Sequence, residues 1–245
     1  QALQAHRAAL GRTWPPSTPG VQRAKAELQR GNLPAARALL QRERNADPDN
    51  LEALFLLGGL HFQKARFGLA LKLLEEVLRR GPGFAGSENA FYVYGLCQMR
   101  MGDAAEARAA FEAVLEFSPG NGEVLASLGE LDLQEGDVDS ALRRFEEAQR
   151  SLESARASGA PVEIALAALH ARLGDAWLQK EDPQRARLHF ERAVELNPGD
   201  SSAHYALSRV LMQLGDAEGA ERELAEYQRL RVDDGRNQPL NEGER

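Results

Sequence analysis

Small and large apolar residues return along this chain at long, regular intervals. Six alanines (Ala36, Ala70, Ala107, Ala141, Ala186 and Ala220) are separated by steps of 34, 37, 34, 45 and 34 residues. Such a period marks an array of like units, none able to bury its apolar face alone. With the alanine set at position 20, units start at Ser17, Leu51, Glu88, Gly122, Ala167 and Ser201. Position 8 is always small: Ala24, Gly58, Gly95, Gly129, Gly174 and Ser208. Position 24 is always large and apolar: Leu40, Leu74, Phe111, Phe145, Phe190 and Leu224.

These columns predict two antiparallel helices per unit. Small residues at positions 8 and 20 let the pair approach closely, and the bulky residue at 24 fills the space beside them. Pro48, Pro82, Pro119 and Pro198 at position 32 end the second helix, because proline cannot extend the hydrogen-bond ladder. Between the helices, Gly31-Asn32, Gly102-Asp103, Gly136-Asp137 and Gly215-Asp216 pair a left-handed glycine with a capping Asp or Asn. The fourth unit lacks its proline. Its eleven extra residues are expected to lengthen both flanking helices around a turn at Ser158-Gly159-Ala160, with the next helix beginning near Pro161.

The columns resemble the tetratricopeptide repeat family, most clearly from Leu173 to Pro198, where Leu173, Gly174, Trp177, Ala186, Phe190, Ala193 and Pro198 stand at the signature places. The resemblance implies an all-α, right-handed α-solenoid of about six helix-turn-helix units over 17–231. It leaves 1–16 as an N-terminal extension, a short helix followed by a Pro-rich linker at Trp14-Pro15-Pro16. A polar C-terminal tail covers 232–245. The first unit is degenerate: Gly20, Arg23 and Glu27 occupy places normally apolar, and Glu43 replaces the small residue at position 27.

The resemblance also implies a ligand groove lined by positions 2, 5, 9, 12 and 13 of each first helix. Here these places supply Phe55, Tyr92 and Tyr205 at position 5. Position 12 supplies Phe62, Met99, Leu133, Leu178 and Met212, and position 13 supplies Gln63, Arg100, Gln134, Gln179 and Gln213. An apolar strip beside a ladder of amides suits an extended peptide or a partner helix. The same pattern also suits plain packing, since large residues at position 12 support neighbouring helices and Gln is a good helix former. Glu52, Glu123, Glu130 and Asp175 face only Lys25, Arg100 and Arg209 on mapped groove places, which predicts a mildly acidic middle. A second candidate surface is the face of the last helix around Leu224, Tyr227 and Leu230. The Lys and Asn clamp that some members use for a C-terminal carboxylate is absent: position 5 offers Val21, Phe55 and Tyr92, and position 9 offers Lys25, Gly59 and Leu96.

Composition changes the picture little. Over 245 residues, 43% are hydrophobic and 27% charged, as in a folded chain, and the net charge of −7 argues against a nucleic-acid partner. No apolar run is long enough to span a membrane. Arginine far outnumbers lysine, which reads as genomic bias, and a bacterial source is expected. Because the chain begins at Gln1, a trimmed N-terminus is expected, with export to the periplasm preferred over the cytoplasm.

No catalytic, cofactor or metal site is expected. Gly81-Pro82-Gly83-Phe84-Ala85-Gly86 matches a dinucleotide fingerprint in letters alone, since it follows a helix and lacks a βαβ setting. The histidines His6, His61, His170, His189 and His204 include no pair with i, i+4 spacing and read as packing residues. Cys97 reads as an inert core thiol. The expected function is a non-catalytic protein-interaction scaffold. The alternative is a permanent subunit or assembly factor of an envelope complex.

Overall fold

The computed structural model describes residues 16–80 and 87–237, so the expectations for the N-terminal helix, Trp14 and the glycine-rich stretch from Gly81 lie outside the described residues. All regular structure among the described residues is α-helical. Two compact units divide the chain, 1–119 and 120–245. The first holds α1 (Pro19–Gln29), α2 (Leu33–Ala46), α3 (Leu51–Gln63), α4 (Phe67–Arg80), α5 (Ser87–Met101) and α6 (Ala104–Phe117). The second holds α7 (Gly122–Gln134), α8 (Val138–Ala157), α9 (Glu163–Gln179), α10 (Pro183–Leu196), α11 (Ser201–Gln213) and α12 (Ala217–Asn237).

Within each unit the helices pack as hairpins, and the second helix of one hairpin packs on the first helix of the next. The small column and the large column meet directly. A Cβ added at Gly95, Gly129 or Gly174 would lie 2.6 Å from the ring of Phe111, Phe145 or Phe190. A Cβ at Gly58 would lie 3.2 Å from Leu74. Absence of a side chain at position 8 therefore seats the bulky residue at position 24 of the same hairpin.

Turn chemistry sets the hairpin ends. Position 15 is left-handed in all six repeats, at Gly31, Ala65, Gly102, Gly136, Glu181 and Gly215. The next residue then caps the second helix through its side chain: Asn32 accepts from the Ala35 N–H, Asp103 from Glu106, Asp137 from Ser140, Asp182 from Arg185 and Asp216 from Gly219. The second repeat departs, carrying Arg66 at that place.

The long α8, 20 residues, and α9, 17 residues, turn through Gly159 at φ +88°. The helix after this turn starts at Glu163, close to the expected Pro161. At the C-terminal end α12 continues to Asn237, past the point where a polar tail is expected from sequence. Two of the four odd residues of the first repeat compensate one another: the Glu43 side chain fills the space that a side chain at Gly20 would need, and the Thr18 hydroxyl donates to the Glu43 carboxylate.

Candidate protein-interaction faces

In the first unit, the candidate face is carried by α3 and α5. Their hydrophobic residues each sit partly in the packing. Phe62 is half-buried and tilted on Phe67 with ring centroids 5.8 Å apart. Tyr92 is half-buried against Phe111 at 5.9 Å, and Phe55 is also half-buried. Met99 is 8% exposed and belongs to the core, so the accessible groups beside it are Arg100 and, on α3, Gln63. At position 9 of α1, Lys25 pairs with Glu52 of α3, and the Ser17 hydroxyl donates to the same carboxylate at 2.8 Å.

In the second unit, α7, α9 and α11 carry the equivalent face. Leu133 is 9% exposed and is core. Leu178 is half-buried on a cluster that includes Ala186, Phe190, Leu207 and Leu211. Gln134, Gln179 and Gln213 are exposed, as are Tyr205 and Met212. The column of amides is thus the accessible part of the face, whereas position 12 opens to solvent only towards the C-terminal end.

Arg172 joins the charges mapped from sequence on this face. Glu130 accepts from Arg172 at 2.8 Å, and Arg172 is at position 6, outside the places mapped from sequence. Asp175 stays open to water but is flanked closely by protein. Partial desolvation, and then the nearby Glu130 carboxylate, hold its carboxyl above the usual range, while Arg209 and Arg172 pull the other way. With the exposed Glu123, three carboxylates of this face stand against the guanidiniums of Arg172 and Arg209. Arg209 also lies over the Tyr205 ring at 6.0 Å.

The last helix presents the other candidate surface. Leu224 is 38% exposed, while the other five residues of its column are 0–1% exposed. Tyr227 is half-buried with its ring 5.1 Å from Tyr205, and its hydroxyl accepts from Arg231 at 3.1 Å. Leu230 is half-buried. These are the places where, in earlier hairpins, the next helix would pack.

Cys97, His170 and His204 are buried. Cys97 is fully buried, and burial pushes its thiol up to about 11, so it is not a thiolate near neutral pH. The His170 and His189 Nδ1 atoms lie 3.1 Å apart with their rings stacked. His204 bridges the Glu223 carboxylate at 2.6 Å and the Pro198 carbonyl at 3.1 Å. No group of three or more His, Cys, Asp or Glu among the described residues is placed to hold a metal ion, and no described helix is long and apolar enough to cross a membrane. Sequence spacing alone misses the buried Asp132, which accepts from Arg144 at 2.6 Å, and the histidine pair, because both depend on which residues meet across a hairpin.

Known proteins share the repeat. Two family profiles, each described as tetratricopeptide repeat, match residues 21–85 and 66–122, and 98–173 and 178–238. The Protein CTR9 homolog of Arabidopsis thaliana is 30% identical over 138 residues. That alignment takes in 56% of this chain and 12% of the relative, so the match spans only a small part of that protein. Among solved structures, the Cut9-Hcn1 hetero-tetramer of the APC/C aligns with a TM-score of 0.74 at 17% identity, covering 86% of this chain and 39% of that one. PilF of Pseudomonas aeruginosa aligns with a TM-score of 0.63 at 16% identity, covering 95% and 100%. BtubC from P. vanneervenii aligns at 0.61 and 19%, covering 94% and 97%. At these identities the structures share the fold.

Proposed function

This chain belongs to the tetratricopeptide repeat family, whose fold is that of a protein–protein interaction scaffold, and from that premise we propose that it binds a peptide segment or partner helix along its first-helix faces. The observation that carries this reading is the column of exposed long polar side chains, Gln63 and Arg100 in one unit and Gln134, Gln179 and Gln213 in the other. Amides at one repeat spacing can donate and accept along an extended backbone, while half-buried Phe55, Tyr92 and Leu178 beside them supply apolar contact. The carboxylates of Glu123, Glu130 and Asp175, only partly offset by Arg172 and Arg209, favour a partner segment that carries Lys or Arg. The proposed role is non-catalytic: the one thiol is buried and protonated.

A Phe55→Ala/Tyr92→Ala variant, checked for retained helicity, should lose its partner when recovered from the native source and analysed by mass spectrometry. A companion Gln134→Lys/Gln179→Lys/Gln213→Lys variant alters only exposed groups in the second unit and should weaken the same capture. Full recovery by both folded variants would move the binding surface elsewhere.

Exposure of Leu224 supports a second reading, a permanent place in a larger complex. An apolar residue in a column otherwise sealed is what a fixed subunit interface leaves open when its partner is removed. Here the test is solution mass. A Leu224→Asp change should release a stably bound partner or second copy without unfolding the chain.

A further inference from the structure

Arg37 and Arg44 on α2, Lys64 and Arg66 in the turn after α3, and Lys72 on α4 have no carboxylate at ion-pair distance among the described residues, as is also true of Arg23, Arg42 and Arg100 in the same unit. In a chain of net charge −7, an uncompensated basic cluster is a feature that needs a cause. Neighbouring basic residues behave otherwise, with Arg30 held by Glu27 and Arg80 by Asp49 and Glu76. Three of these cations, Arg37, Lys64 and Arg66, line a small hollow of about 40 Å³ together with Leu33, Pro34, Leu60 and His61. A wider depression continues from Arg66 past Leu69 and Lys72 to Met101, with Leu69 and Met101 both exposed. His61 registers the field inside: burial first, then Arg66, Arg37 and Arg44, lower its pKa.

The turn that carries this surface departs from the other five at its capping place. Position 15 is left-handed in every repeat, and here it is Ala65, one of two non-glycine residues in that column with Glu181 of the fifth repeat. Position 16 is Asn or Asp in the other five repeats, yet here it is Arg66, whose side chain has no acceptor for the free N–H groups of α4. Both departures cost local stability, and both sit where the positive charge gathers. Local rules broken without structural compensation are expected where a surface is used.

We infer that this turn surface of the second repeat, floored by Leu33, Pro34 and Leu60 and ringed by Arg37, Lys64 and Arg66, docks an acidic peptide segment that also carries an apolar residue. Carboxylates of the segment meet the guanidiniums in paired hydrogen bonds. Its apolar residue covers the Leu69–Met101 depression. The site is distinct from the first-helix faces proposed above, since none of its lining residues occupies positions 5, 9, 12 or 13.

The test uses the whole chain and a fluorescein-labelled peptide of alternating Glu-Glu-Leu, with a Gln-Gln-Leu peptide and a single-stranded oligonucleotide as controls, read by fluorescence anisotropy. The acidic peptide should bind at least tenfold tighter than the Gln peptide and weaken as salt rises. An Ala65→Gly/Arg66→Asp variant, which installs the Gly-Asp turn of the third, fourth and sixth repeats, should raise the Tm and lower the peptide affinity at least tenfold. A folded Arg37→Glu/Lys64→Glu variant should lose binding likewise, and Phe55→Ala/Tyr92→Ala should retain it. Equal binding of the Glu and Gln peptides, unchanged affinity in the charge variants, or tighter binding of the oligonucleotide would each overturn the inference.

Discussion

The position-15 turn shows how much one backbone conformation asks of one residue. Gly31, Gly102, Gly136 and Gly215 take φ between +75° and +87°, while Ala65 and Glu181 take φ of +52° and +59°. A side chain there costs on the order of 1 kcal/mol, offset partly by the greater freedom that glycine has when unfolded. Glu181→Gly should therefore stabilise the fold by about 0.5 kcal/mol, read as a shift in urea midpoint at constant slope. Position 8 makes the opposite demand. Gly174→Ala would put a Cβ 2.6 Å from the Phe190 ring, which is wedged in the core, so a loss of about 1–3 kcal/mol is expected. Gly58→Ala meets Leu74 at 3.2 Å and should cost less, and a Gly174→Ala/Phe190→Leu double change should recover part of the deficit. If both alanines cost the same, the ring contact is not what sets the column.

Between helices, pairings that no single column displays become decisive. His170 of α9 and His189 of α10 share one Nδ1–Nδ1 contact, so at least one of these atoms must lack its proton. Burial, and then the His189 charge, bring the His170 pKa down to about 4, and burial lowers His189 as well. With a folded value below the unfolded value near 6.5, the unfolded chain binds more protons between these limits. Stability is then complete above pH 6.5 and declines as pH falls towards 4, by roughly 2 kcal/mol. Chemical denaturation at pH 7 and pH 5 checks this. His170→Leu should flatten the dependence, and an unchanged slope would assign the acid sensitivity to other groups. The contrast with the repeat columns explains which features are legible in sequence. Columns at 8, 15, 20 and 24 repeat because each meets its own repeat's backbone or partner column, so spacing alone exposes them. The Gly20–Glu43 exchange, the Glu130–Arg172 pair and the histidine contact occur once each and arise from facing side chains, which one-dimensional spacing does not encode.

Across the whole array, the role of a residue depends on whether another hairpin packs against its repeat. Leu224 and Phe190 share position 24, yet Leu224 is 38% exposed and Phe190 is 1% exposed. The same limit governs the candidate face: Met99 and Leu133 at position 12 are core, whereas Met212 in the last hairpin is open. Sequence columns mark these residues as equivalent because they occupy one register, while burial depends on the next hairpin being present. In a repeat protein, stability is close to a sum of repeat terms and neighbour terms, so a residue without its neighbour forfeits the second. Phe190→Ala should therefore cost about 3–5 kcal/mol, and Leu224→Ala less than about 1 kcal/mol in the isolated chain. When a partner covers the last helix, Leu224→Ala should gain a second consequence, weaker assembly at unchanged monomer stability. Parallel denaturation and sedimentation of both variants separate the two effects. A Leu224→Ala loss as large as that of Phe190→Ala would mean that α12 is already sealed and that its outer face is no docking surface.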